Sequence, residues 1–140
     1  MIVCDTGPLV AAALANDEHH HACVELFTGL HLARRPLLVP TTVVAEVGYL
    51  IGREAGAKVE SLFLDSLAAD DFTLVDLTAA DLTCMAELVR RYGDLPLGTT
   101  DASVVAIAER LGITEIATLD RRHFTVIRPR HVGAFTILPD

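Results

Sequence analysis

The 140-residue chain contains no tryptophan, seven aromatic residues in all, a single lysine and three cysteines. Each scarcity removes a class of protein. Cys4, Cys23 and Cys84 are far apart and form no C-x-x-C pair, so neither a disulfide framework nor a zinc knuckle is expected, and a reducing cytoplasm is the simplest location. The apolar run PLVAAALA is too short to span a bilayer. It has the length of a signal-peptide core, but Asp5 and no basic residue precede it, so secretion and membrane insertion are both unexpected. A formal charge of −8 argues against nucleic-acid binding by bulk electrostatics alone. There is no internal repeat, low-complexity tract or linker, and the length suits one domain over residues 1–140.

With so few aromatics in a chain that is 51% hydrophobic, the core must come from Ala, Val, Leu and Ile, a mixture of helix and strand formers. The pattern alternates accordingly. Ile2–Cys4 reads as a buried strand, PLVAAALA and HACVELFTGLHLA as helices, and LLVP as a second strand. TTVVAEVGYLIGREAG reads as a helix with Thr41 or Thr42 as its cap and Gly56 as its stop. Residues 57–69 continue helically, FTLVDL is strand-like, and TAADLTCMAELVRRYG is another helix. After the loop containing DLPLG come the helix TTDASVVAIAERLG, the strand EIATL, the segment DRRHF, and FTIL as a last strand at an edge. Strands alternating with helices imply crossovers and a mainly parallel α/β sheet.

Two acids, Asp5 and Asp120, fall where apolar strands end. The crevice outside the carboxyl ends of strands is where open α/β sheets bind ligands. Asp followed by Thr, Gly and Pro is also ordinary helix-start chemistry, so Asp5 is either a turn residue or a site residue. Asp101 lies in the first turn of its helix, where a cap and a site residue look alike. Glu46 sits within VVAEVGYLI, in a helix too apolar to be a surface helix, and an unpaired buried charge there would cost several kcal/mol. It therefore lies either on a narrow polar strip or in a site.

If the fold gathers these acids, their repulsion raises their pKa values unless a cation neutralises them. Clustered oxygen donors without cysteine or a spaced histidine pair favour Mg²⁺ or Mn²⁺ over zinc. Metal-assisted phosphodiester hydrolysis is the chemistry such a site suits. The run HHH at 19–21 is a weaker metal candidate, because adjacent histidines on a helix face different ways; a solvated helix start accounts for it.

DTGPL, TTVVAEVGYLIG, YGDLPLGTTDASVVAIAERLG and TLDRRHF, in this order over nearly the whole chain, resemble the PIN-domain nucleases, in particular the VapC toxins of toxin–antitoxin pairs. The resemblance implies a three-layer α/β fold with a central, mainly parallel sheet flanked by helices. It matches Asp5 to the first acid of a D-[ST] motif, Glu46 to the helix acid, Asp101 to the acid of a D-A motif and Asp120 to the acid of a T-x-D motif. Thr6 matches the hydroxyl that supports the metal shell. It further implies an Mg²⁺- or Mn²⁺-dependent endoribonuclease that dimerises and is held inactive by a VapB antitoxin. The chain departs from the family at Gly7, where Ser or Ala is common, and at Pro8, which puts the aim of Thr6 in question.

Arg121, Arg122, Arg128 and Arg130 bring four of the eleven basic residues within ten positions, beside His123 and His131. They form either an RNA-phosphate patch or a solvated turn. Two other functions compete with nuclease activity. An Asp-nucleophile phosphatase would place a second Asp two residues after Asp5, where Gly7 stands, and a receiver would want a lysine near its last strand, whereas Lys58 lies in a helix. A catalytically silent module, whose acids bind a basic tail and whose apolar helices form an interface, fits the same residues.

Overall fold

The computed structural model describes residues 1–140. Five short strands, β1 (Ile2–Cys4), β2 (Leu37–Pro40), β3 (Thr73–Val75), β4 (Glu115–Ala117) and β5 (Thr136–Leu138), form one sheet in the order β3-β2-β1-β4-β5. Every pairing is parallel. Helices α1 (Thr6–Ala13), α2 (His20–Leu32), α3 (Thr41–Ala55), α4 (Ala57–Ala68), α5 (Ala79–Arg91), α6 (Thr99–Leu111) and α7 (Arg121–Val126) supply the crossovers and flank the sheet. No helix is long and apolar enough to cross a membrane.

Strand position follows from hydropathy. All residues of β1 and β2 are buried, as expected of inner strands covered on both faces. The outer strands β3 and β5 keep Thr73, Leu74 and Thr136 exposed. FTIL is thus the edge its sequence suggested. The core is a single cluster dominated by Val, Ile, Leu and Ala, in which α6 is buried continuously from Ala102 to Ala108. The three cysteines are free thiols.

Two helix starts differ from expectation. Neither Thr41 nor Thr42 caps α3: Pro40 holds the cap position, and both threonines lie in the first turn. Strand β2 runs into α3 without an intervening residue, so the Thr42 hydroxyl goes instead to Ser103 on α6, at 2.6 Å. Of the basic segment after β4, Arg121 and Arg122 lie in α7, whose N-cap Asp120 accepts from the His123 backbone N–H at 3.0 Å, while Arg128 and Arg130 fall in the irregular stretch beyond it. By contrast, α5 has a full capping box between Thr78 and Asp81, and α6 ends at Gly112, which takes the left-handed conformation with φ 69°.

In an all-parallel sheet every carboxyl end lies along one edge. From β1 the chain builds outward to β2 and β3, then returns across to β4 on the other side. The switch point between β1 and β4 opens a crevice at that edge. Asp5 and Asp120 follow those two strands.

Candidate functional site

Asp5 is the first residue beyond β1. Its backbone N–H donates to the Ala117 carbonyl of β4 at 2.8 Å, which pins it across the switch point. The residue is only 5% exposed, and its carboxylate accepts a 2.8 Å hydrogen bond from the Thr118 hydroxyl. Although Asp5 holds the N-cap position of α1, it makes no side-chain capping bond, so helix capping is not what the carboxylate does. Burial pushes its pKa up to about 6, against the Thr6 backbone N–H and the Thr118 hydroxyl, which oppose the rise, and with the charges of Asp101 and Glu46 adding to it.

The next residues explain the departure from the family pattern. A Cβ at Gly7 would lie 3.3 Å from Leu119 Cβ, so glycine lets the start of α1 approach the loop after β4. Pro8 falls in the first turn of α1, where a missing N–H costs no helical hydrogen bond. The Thr6 hydroxyl donates to Glu46 Oε2 at 3.2 Å.

Glu46 corrects the reading of α3 as a helix without a surface. Val43, Val47, Gly48 and Ile51 are buried, but Ala45, Glu46 and Tyr49 are exposed. The helix packs on α1, α4 and α6 and leaves one strip open. Glu46 lies on that strip and also lines the cleft, so the two alternatives for it were one.

Asp101 is the third residue of α6. The cap position belongs to Gly98, and the Asp101 carboxylate faces His123 Nδ1 at 3.1 Å. Its pKa is raised by burial, with the Asp120 charge adding and His123 opposing. Asp120 Oδ2 stands 2.7 Å from the same ring nitrogen. One donor atom from each of Asp101, Asp120 and His123 falls within 4.8 Å of the others. Asp5 and Glu46 share the cleft without joining that tight group.

The cleft has a volume of about 530 Å³ and is lined by Asp5, Thr6, Gly7, Glu46, Asp101, Leu119 and Asp120. The fold therefore gathers all four acids, which lie far apart in sequence. Their oxygens, with no thiolate among them, fit a hard divalent cation. None of the four arginines lines the cleft. Arg121 donates to the Pro139 carbonyl at 2.6 Å and Arg128 to the Thr125 carbonyl at 3.0 Å, while Arg130 is paired with Glu87 at 2.9 Å. Arg122 is exposed on α7. In the histidine run, His20 Nδ1 meets the Ala11 carbonyl at 2.8 Å and His19 sits 3.1 Å from Glu18.

Sequence reasoning passed over two residues. Thr118 is the threonine of the T-x-D motif, and its hydroxyl both donates to Asp5 and accepts the Asp120 N–H at 3.0 Å. His123 lies three residues after Asp120, a spacing that brings it back over the cap residue at the start of α7. That spacing was the available signal, obscured by the neighbouring arginines.

A parallel sheet in this order with clustered acids at its switch point defines a nuclease-like α/β domain, and the chain belongs to the PIN domain family, whose model matches residues 2–128. Within the family it is similar to Ribonuclease VapC26 of Mycobacterium tuberculosis, with 35% identity over 138 residues, 99% of this chain and 100% of that protein. Its fold is similar to that of VapC20 of the same species, a toxin that cleaves the sarcin-ricin loop, at TM-score 0.78 and 18% identity, covering 94% of this chain and 98% of that one. It is also similar to VapBC2 of Rickettsia felis, crystallised with a DNA fragment from its promoter, at TM-score 0.66 and 17% identity, covering 98% and 97% of the two chains.

Proposed function

We infer that the chain is an RNA-cleaving hydrolase, the endoribonuclease toxin of a VapBC-type toxin–antitoxin pair acting in the cytoplasm, with residues 1–140 as one nuclease domain. We further propose that Asp5, Glu46, Asp101 and Asp120 hold Mg²⁺ or Mn²⁺ there. One observation carries the reading: four acids from four separate segments line a single cleft at the switch point of the sheet. The bound cation supplies the positive charge that activates a water and steadies a phosphodiester for in-line attack.

The chain's own residues do the positioning. Thr118 orients the Asp5 carboxylate, and the Asp5 N–H ties it to β4. Thr6 orients Glu46 through its hydroxyl. Asp101, on α6, and Asp120, capping α7, converge on one nitrogen of the His123 ring. Each acid is thus held before a substrate arrives, which lowers the reorganisation required during reaction. Arg121 and Arg122 follow Asp120 directly and are proposed to meet RNA phosphates beyond the cleft mouth, with Arg128 next to them; Arg130 is the weakest member of the set because Glu87 already engages it.

Partner binding has separate support. An apolar groove of about 390 Å³ runs between α1, α2 and α4, lined by Leu9, Phe27, Val59, Leu62, Phe63 and Phe72 among others. Helix α4 has no buried residue, and its Leu62 and Leu64 are 57% and 47% exposed. This is the uncovered apolar surface that an amphipathic antitoxin helix fits. A homodimer would use a different face, for which Leu82 and Val89 on α5 are exposed.

The deciding experiment is cleavage of total cellular RNA with Mg²⁺, with and without chelator, beside Asp5→Asn. Metal-dependent cleavage by the native chain alone is expected. Cleavage that survives chelation would refute the metal reading, and no cleavage under any condition would favour the silent binding module.

A further inference from the structure

We infer that His123 is a nitrogen donor to the cation of this cleft, and that the centre it completes takes Mn²⁺ in preference to Mg²⁺. The inference rests on the metal-nuclease reading above and adds a ligand to the acids.

The geometry is specific. His123 Nδ1 lies 3.1 Å from Asp101 Oδ2 and 2.7 Å from Asp120 Oδ2. Adjacent donors around an octahedral ion with metal–donor distances of about 2.1 Å are separated by about 3 Å. Both separations from the ring nitrogen match that spacing, and one donor atom from each of the three residues lies within 4.8 Å of the others. Their placement does not depend on one another alone. The His123 N–H holds Asp120 Oδ1 at 3.0 Å, which leaves Oδ2 turned toward the ring. The Asp120 N–H is held by Thr118, and Asp101 is fixed on α6. The imidazole is largely enclosed, with its side chain 17% exposed against 37% for Asp120.

Donor chemistry then bears on the choice of ion. Mg²⁺ is held by carboxylates and water, donors that Mn²⁺ shares, whereas imidazole is a ligand of transition ions such as Fe, Ni, Cu and Zn; among the oxygen-seeking ions Mn²⁺ is the one that belongs to that transition series. A site with several carboxylates and one imidazole retains the hard oxygen donors that Mn²⁺ accepts and adds one that Mg²⁺ uses poorly. Removing the ring should therefore weaken Mn²⁺ more than Mg²⁺.

The test is Mn²⁺ titration followed by electron paramagnetic resonance, with pulsed measurement of ¹⁴N coupling to the bound ion, on the native chain, His123→Gln and His123→Ala. Native protein is expected to bind Mn²⁺ with a directly coupled nitrogen. His123→Gln should lose that coupling and bind Mn²⁺ about tenfold more weakly or worse, the loss expected when a metal shell loses a partner, while Mg²⁺ affinity changes less. His123→Ala should behave alike, and circular dichroism melts establish that each variant is folded. Bound Mn²⁺ without ¹⁴N coupling in the native chain would overturn the inference and leave the carboxylate site intact. Coupling that persists in folded His123→Gln would assign the nitrogen to another histidine and overturn it too. Failure of the native chain to bind Mn²⁺ while it still binds Mg²⁺ would overturn the inference alone, and failure to bind either ion would remove the metal-nuclease reading along with it. Because the decisive signal is read on the native protein, a variant that misfolds does not rescue the idea.

Discussion

The hydroxyl of Thr118 donates a 2.8 Å hydrogen bond to the carboxylate of Asp5 across 113 positions of sequence. Both residues are almost fully buried, at 1% and 5% exposure. The same hydroxyl accepts the Asp120 N–H, so one small side chain sets the first and last acids of the cleft relative to each other. Replacing it with the isosteric valine leaves a buried carboxylate without its donor. Thr118→Val should cost about 1–3 kcal/mol in denaturant unfolding, and Thr118→Ser should recover most of it. A loss confined to Thr118→Ser would mean that the methyl group matters and the hydroxyl does not.

Asp5 itself is a source of instability in the metal-free protein. Its pKa is up at about 6 in the fold against an ordinary value of 3.8, so the folded state holds its proton more tightly than the unfolded chain. Stability from this group is therefore fully present below about pH 4 and is lost as pH rises through about 6, by on the order of 3 kcal/mol. Asp5→Asn carries no such penalty. At pH 7.5 without metal the variant should melt higher than the native chain, and at pH 4 the difference should shrink, while RNA cleavage is abolished. A variant that melts lower at both pH values would mark a structural role.

Added cation should narrow that difference. If Mg²⁺ binds with a dissociation constant of about 1 mM, about 10 mM contributes roughly 1.4 kcal/mol to the native fold, a rise of a few degrees for a domain of this length. Asp5→Asn has lost a charged ligand and should gain less. Scanning calorimetry of both proteins across a magnesium series measures the difference, and identical gains would mean that Asp5 does not face the ion.

Asp81 shows the opposite electrostatics away from the cleft. Burial works to raise its pKa, but the Thr78 backbone N–H and the Arg110 guanidinium, at 3.0 Å, prevail and hold it below the ordinary carboxylate range. The stabilisation it supplies is present above about pH 4 and is lost as pH falls through its folded value. Asp81→Asn should destabilise the chain at pH 7 by about 1–3 kcal/mol and flatten the acid end of its stability profile. A profile parallel to that of the native protein would count against the Arg110 pairing.

RNA affinity against salt tests the arginines. Arg121→Ala combined with Arg122→Ala should reduce the log–log salt slope by roughly 0.7 for every single-strand phosphate that the variant no longer neutralises. An unchanged slope would leave both as solubilising surface residues.

Much of the architecture was legible from residues alone because it is written in short-range pattern. Apolar runs of three or four residues marked β1, β2 and β4, 3.6-residue periodicity marked the long helices, and Asp5 and Asp120 stood out because a charge directly after a buried strand has few inexpensive locations. Motif order supplied Glu46 and Asp101, which periodicity alone left divided between cap, surface strip and site. What the tertiary structure decided depends on partners distant in sequence. Strand order is one such matter, since nothing local states that β1 lies between β2 and β4. The destination of the Thr42 hydroxyl is another, because a cap and a tertiary partner compete for it and Ser103 prevailed. Arg130 looked like its basic neighbours until the fold set it against Glu87. Thr118 and His123 have no distinctive period or composition; they matter because the parallel sheet brings its carboxyl ends to one edge, where two polar side chains bridge acids that are distant in sequence.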